Sequence, residues 1–364
     1  MVDSQVLVFA LFLLTVATVP WPGSAWLDRM EQQTAHKFNS KTIMEDNTTE
    51  ASSLSDHDHH RTFRWEGIDY ANVYAALLHN DPLKYPCRNF NAYLNSIFIS
   101  HEMAVRLVHI TQSLEYTHYI MCYVRNFIGA MIVYYGTAGI FHYFCYIHPI
   151  SKTTFAHRIR PSTSTIVHQI TLAQASLFLY VLLPVVDEYA VEQNWTRTYF
   201  TISEVGGLHM YLFLLVLYFA LVEIGIYWMH RTLHTNKFLY KYIHMKHHQY
   251  NKPETLTPWA SIAFHPLDGI LQASPYFVVI FFIPCHYLTH VIMLFFTAIW
   301  ATYIHDAMDW NIDPIMGSKY HTVHHTHYVY NYGQVFTFCD YIWGTLRVPL
   351  EPTGSTKQRL LKLD

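Results

Sequence analysis

The sequence predicts an all-α, polytopic integral membrane protein, with about four to six membrane helices and a histidine-rich cap on one side. Three observations carry this prediction. Charged residues make up 13% of the 364, about half the roughly 25% of an average globular domain. Apolar residues gather into long runs from Phe127 onward. The 26 His equal Asp and Glu combined, outnumber the 23 Lys and Arg, and crowd toward the C-terminal half.

The elements follow in chain order. Val6 to Val19 is one short apolar run closed by Pro20, Pro22 and the small residues Gly23 to Ala25, which reads either as a cleaved secretory signal or as an uncleaved anchor. Residues 26–126 form a polar N-terminal region. Its first part, rich in Ser, Thr, Asp and His with His57, His59 and His60, has the composition of a disordered segment. Its later part includes an amphipathic stretch around Ile97 to Ile110. Residues 127–350 are expected to form the membrane-embedded domain, followed by a tail at 351–364. Apolar runs at Phe127–Ile147, Thr171–Val186, Leu208–Met229 and Ile270–Ile304 are candidate spans. The last is about twice the roughly 20 residues that one span needs, and Pro284 to His286 interrupts it. It is therefore read as two helices joined in a hairpin.

Loop charge orients the chain. Segments 148–170 and 230–256 and the C-terminal tail carry Lys and Arg, whereas 187–207 carries Asp187, Glu188, Glu192 and Glu204 against Arg197 alone. Basic residues next to spans mark the cytosolic side, which leaves the region before Phe127 lumenal. The sequons at Asn47 and Asn194 would then be open to glycosylation. A net charge of -3 offers no attraction for a polyanion, so nucleic-acid binding is excluded. Five Cys, odd in number and never spaced Cys-x-x-Cys, argue for buried free thiols over a disulfide framework or a thiolate zinc site.

Eight His form three clusters: His230 and His234; His244, His247 and His248; and His321, His324 and His325. On a helix, residues spaced i, i+3 and i+4 share a face, so each cluster is expected to present its imidazoles in one direction. Neutral imidazole is the commonest metal-ligating side chain, and eight nitrogens suit two ions with room for an exogenous ligand. If 270–304 crosses the membrane twice, all three clusters return to the same side. A structural zinc site would need only four ligands and would usually recruit Cys. A transporter would place such groups within the spans. An all-histidine pair of ions beside a bilayer suits iron and dioxygen chemistry on a lipid.

The pattern His-x3-His, His-x2-His-His, His-x2-His-His on a multi-span chain resembles the fatty acid hydroxylase and sterol desaturase superfamily of membrane di-iron oxidases. Glu223 to Arg231 (EIGIYWMHR), Leu239 to His244 (LYKYIH), Phe264 to Gly269 (FHPLDG), Tyr320 to His325 (YHTVHH) and Tyr330 to Gln334 (YNYGQ) look like its sterol C5-desaturase branch. The resemblance covers about 171–350. It implies an oxygen-dependent Δ7-sterol C5(6)-desaturase that removes two hydrogens from sterol ring B. Electrons would come from a nicotinamide-dependent reductase through cytochrome b5, and the enzyme would lie in the endoplasmic reticulum membrane with its site facing the cytosol. It implies two Fe ions held by His230, His234, His244, His247, His248, His321, His324 and His325, with His305 as a further metal ligand. His265 is expected in a pocket or behind the ligands, and Asp306 and Asp340 are candidates to accept the second ring N–H of a ligating His. Tyr227, Trp228, Trp259, Phe264 and Tyr276 are candidates to line a sterol entry, or else an interfacial aromatic belt. Other readings of the same clusters are a sterol C4-methyl oxidase, a lipid hydroxylase, or a membrane metal-binding or transport protein.

Overall fold

The computed structural model describes residues 73, 85–149, 151, 159–252, 254–305 and 313–349. The signal-like start, the polar stretch with His57, His59 and His60, the Asn47 sequon, Asp306 and the basic tail lie outside the described residues. The regular structure described is helical, apart from one parallel two-residue pairing of β1 (Thr198–Tyr199) with β2 (Cys285–His286) and an isolated antiparallel bridge between Ile315 and Phe336. It falls into two compact units, one of residues up to Arg125 with Val191–Gln193, the other of the remainder.

In the first unit, α1 (Pro86–Phe98) begins on a proline, whose fixed φ and missing N–H suit the first helical turn. α2 (His101–Thr111) is capped by Ser100, whose side chain accepts from the Met103 amide, and it ends at Gln112 with φ 56°. The amphipathic stretch around Ile97 to Ile110 thus spans the end of α1 and most of α2, with a break at Ile99–Ser100. Ala92, Ile99, Ala104, Val108 and Met121 form this unit's apolar core.

Four helical segments among the described residues are long and apolar enough to cross a membrane: Leu114–Ile147, Thr163–Glu192, Leu208–Thr235 and Tyr287–His305. The first comprises α3 (Leu114–His142) and a closing π-turn, and the second comprises α4 (Thr163–Tyr180) and α5 (Leu182–Glu192). The third is α6 (Leu208–Thr235), followed by the short α7 (Lys237–Tyr242). The expected hairpin is α8 (Pro266–Val279) and α9 (Tyr287–His305). Only α9 has a full span's length. The 14 residues of α8 reach about 21 Å at 1.5 Å per residue, short of the roughly 30 Å hydrocarbon core. α8 lies against α6 at a point where a side chain on Gly225 would put its Cβ 2.7 Å from Pro275 Cβ, so a small residue is required there. α3 and α4 close over Tyr250, Trp259, Ala260 and Ala263 to form an apolar core. α10 (Ser318–His327) and α11 (Phe338–Ile342) complete the chain. All five cysteines are buried, and none is in a disulfide.

Candidate metal centre

His230 and His234 occupy the last turns of α6, His305 ends α9, and His321, His324 and His325 lie on α10. His244 opens a 3-10 turn that continues through His247 and His248, so the second cluster is not on an α-helix. Because rings on the ends of α6 and α9 meet the same cluster, both helices finish on one side, and α8 must run back between them. Nine imidazoles converge there into two groups, His230, His234, His244, His248 and His324 in one, His247, His305, His321 and His325 in the other. Within each group the ligating atoms lie within 4.8 Å of one another.

The clusters do not each face one way. The neighbours His247 and His248 go to different groups, and so do His324 and His325. Successive residues of a helical turn point about 100° apart, so an adjacent pair serves two centres, while His321 and His325, at i and i+4, serve one.

Ring orientation shows what the groups are built to hold. The Nδ1–H of His244 donates to Asp268 at 2.8 Å, that of His230 to the Tyr332 carbonyl at 3.0 Å, and that of His324 to the Tyr330 carbonyl at 2.8 Å. His305 donates to the Ala301 carbonyl at 2.6 Å. With Nδ1 protonated, each of these rings turns an Nε2 lone pair inward. Nε2 of His244 lies 2.9 Å from that of His234 and 3.0 Å from that of His248, and His248 lies 3.2 Å from His324. In the second group, Nε2 of His305 is 3.0 Å from His247, 3.0 Å from His321 and 3.2 Å from His325. Each Nε2 has a single in-plane lobe, so hydrogens cannot satisfy three or four nitrogens aimed at one point. A shared cation satisfies them all. Metal–nitrogen bonds of about 2.0–2.1 Å place neighbouring ligand atoms about 2.9 Å apart in an octahedron and about 3.4 Å apart in a tetrahedron, which brackets the spacings seen here. The donor set therefore fits a pair of metal ions.

Burial favours the neutral, ligating form. It pushes His324 down to about 3, and it holds His247, His248, His321 and His325 well below the usual histidine range, with neighbouring imidazoles adding to the effect.

Several expectations are corrected here. Asp340 does not reach a ligating ring. It accepts the amides of Tyr332 and Gly333 at 2.8 and 2.9 Å and so acts on His230 only through the loop that carries the Tyr332 carbonyl. The carboxylate that does orient a ring is Asp268, fully buried and braced by Gln272. His265 stands behind no ligand; its Nδ1 accepts from the Leu267 amide at 3.3 Å and caps α8. Of the five aromatics, Tyr227, Trp259, Phe264 and Tyr276 are buried in the interior and only Trp228 is exposed. Phe264 packs edge-on to His247 and against Gly269, where a Cβ would sit 2.6 Å from its ring. A third gathering of ligating side chains, His118, Cys122 and Glu192, went unnoticed in the sequence.

Residues 215–345, which include all nine histidines, match the fatty acid hydroxylase family. The chain is 38% identical to the putative Delta(7)-sterol-C5(6)-desaturase 2 of Arabidopsis thaliana over 271 residues, which is 74% of this chain and 95% of that protein. It is 41% identical to the Delta(7)-sterol-C5(6)-desaturase of Nicotiana tabacum over 64% of this chain and 86% of that one. Against the lathosterol oxidase of Rattus norvegicus the figures are 33%, over 65% and 77%. The chain belongs to the sterol desaturase branch of the fatty acid hydroxylase family. It is thus a multi-pass membrane oxidoreductase. The family match opens within α6 and closes just beyond α11, so it spans the metal centre and the loop that orients it. No solved structure matches the chain.

Proposed function

We propose that this protein is a Δ7-sterol C5(6)-desaturase with a di-iron centre held by His230, His234, His244, His248 and His324 on one ion and His247, His305, His321 and His325 on the other. The observation that carries the reading is the inward convergence of nine imidazoles at the end of a span, in a chain whose likeness to a Delta(7)-sterol-C5(6)-desaturase covers 95% of that relative. Imidazole ligands alone suit Fe, Zn, Cu or Ni; oxidation of an unactivated C–H selects iron. Bound there, the iron pair would supply the reduction of dioxygen to two waters, two electrons and two hydrogens coming from C5 and C6 of the sterol and two electrons from a donor protein, with two protons from water.

The chain's own residues do the rest. Asp268 and the carbonyls of Tyr330, Tyr332 and Ala301 fix the ring tautomers so that every oriented ring offers Nε2. Burial of the rings excludes water. The surface near the centre is basic, since no Asp or Glu occurs between Glu223 and Glu254 while Arg231, Lys237, Lys241, Lys246 and Lys252 do. That surface suits an acidic electron carrier, which we identify as cytochrome b5, reduced in turn by a nicotinamide-dependent reductase. We place the centre on the cytosolic side of the endoplasmic reticulum membrane. Asn194, exposed at the opposite end of α6 from His230, would then carry a glycan, and an endoglycosidase shift that Asn194→Gln abolishes is expected.

The deciding experiment is the sterol profile of a C5-desaturase-deficient yeast expressing this chain. Return of the C5(6) double bond, lost again with His247→Gln or His324→Gln, is expected. A profile altered only in 4-methyl sterols, or restored equally by both variants, would overturn the assignment.

A further inference from the structure

The two histidine groups are supported very differently. In the five-histidine group, three rings are fixed from outside, His244 by the Asp268 carboxylate and His230 and His324 by the Tyr332 and Tyr330 carbonyls. The segment that carries those carbonyls is itself gripped. Five consecutive amides, Tyr332 to Phe336, are all accepted by two buried carboxylates. Asp340 takes the first two, at 2.8 and 2.9 Å. A single oxygen of Glu223 takes the next three, at 3.0, 2.8 and 2.9 Å. Glu223 lies on α6 two turns before His230, so one helix supplies both a ligand and the anchor of the loop that orients it. Asn331 adds bonds from its amide to the Tyr320 and Arg347 carbonyls at 3.0 and 2.9 Å. Gly333 allows the loop to curl, since a Cβ there would fall 2.2 Å from the Phe336 carbonyl oxygen.

In the four-histidine group, only His305 has an Nδ1 acceptor, and that is the Ala301 carbonyl of its own helix. The Nδ1 atoms of His247, His321 and His325 are buried and have no hydrogen-bond partner among the described residues; in the five-histidine group the same is true of His248, so three of five rings are held there against one of four here. Outer partners of ligating rings are each worth about 10–100-fold in metal affinity.

From this asymmetry we infer that the two sites are unequal: the five-histidine site retains its ion, the four-histidine site releases its ion first, and Glu223 is a positioning residue for the former alone. The inference rests on the metal-centre reading above. It concerns this chain's rings and their anchors, and it is read from metal content rather than turnover.

The test is stepwise chelation of the purified full chain in detergent, loaded anaerobically with ferrous iron, with metal per polypeptide measured as chelator rises. Two release steps are expected, separated by about 10–100-fold in chelator concentration, with a plateau at one ion per chain. His321→Gln should abolish the first step and leave the retained ion. Glu223→Ala should erase the plateau, and Glu223→Gln, which keeps an oxygen for the three amides, should largely restore it. Release of both ions in one step by the wild-type chain would overturn the inference, as would a Glu223→Ala chain that loads two ions and keeps the wild-type plateau. Should Glu223→Ala fail to fold, Asp268→Ala tests the same site and must likewise erase the plateau. A wild-type chain with an intact helical signal that binds no metal would instead overturn the metal-centre reading, and the inference with it.

Discussion

The histidine centre and the cluster around Glu192 both bring metal-ligating side chains within reach of one another, yet they are opposites in hydrogen-bonding terms. Glu192 is an acceptor ringed by donors. One carboxylate oxygen receives Asn91 at 2.7 Å and His118 at 3.0 Å, and the other receives Arg88 at 3.2 Å and Tyr119 at 3.0 Å. That arrangement satisfies the carboxylate without an ion. At the histidine centre, acceptors face acceptors, and a cation would complete it. Closeness of ligand atoms therefore does not identify a metal site; the balance of donors and acceptors does.

The contrast can be broken experimentally, and the largest effect is expected at the centre. His325→Gln should reduce desaturation below detection while leaving the thermal transition of the solubilised protein near its wild-type position; normal sterol product would dissolve the contrast. Glu192→Ala, next in size, should act only on stability. Removing one partner of a buried charged pair costs roughly 3–5 kcal/mol, visible as a lower aggregation temperature in detergent, with iron per folded chain unchanged. A loss of iron in that variant would make the cluster a third metal site.

Acid sharpens the comparison further. In metal-free protein, His324 takes up its proton only near 3, well below the usual 6.5, because burial disfavours the charged ring. Between those values the unfolded chain binds a proton that the folded chain does not, so stability rises with pH there and is lost as pH falls from about 6.5 toward 3. Thermal scans of metal-free protein at stepped pH should show this decline, and it should be smaller in His324→Gln. The smallest effect is expected in a polar chain that resembles the Glu192 cluster, where Tyr218 bonds to His290 at 2.7 Å and His290 to Asp187 at 2.9 Å. Tyr218→Phe should cost about 1 kcal/mol, measured as a shift in the same thermal transition, with metal content unaltered.

How much of this was legible in the sequence depends on the distance over which each feature is encoded. The three histidine clusters are local, spaced three or four apart, and they stood out at once; His305 was suggested only by family likeness, since a single His at a helix end carries no pattern. The Glu192 cluster was invisible because its partners Arg88 and His118 lie 104 and 74 residues away in the chain. Asp268 sits within a quoted motif but has no spacing relation to His244, 24 residues earlier. Span boundaries slipped for a related reason. α3 begins at Leu114 and not Phe127, because Glu115, His118 and Arg125 depress the apolar pattern of turns that are helical nonetheless, their polarity answered by Arg88, Glu192 and Asn91. α4 likewise starts at Thr163, where Ser162 caps it, with Gln169 bonding Thr255 and Thr257.

The neighbouring pairs His247–His248 and His324–His325 each send one ring to either histidine group. Two peptide links therefore act as rigid crossbars between the groups, and the spacing of the two sets of imidazoles is set in part by backbone covalent geometry. A shift of either crossbar would move rings of both groups together, so the spacing of the two groups should survive single side-chain changes and yield to insertion or deletion within the turns that bear these pairs.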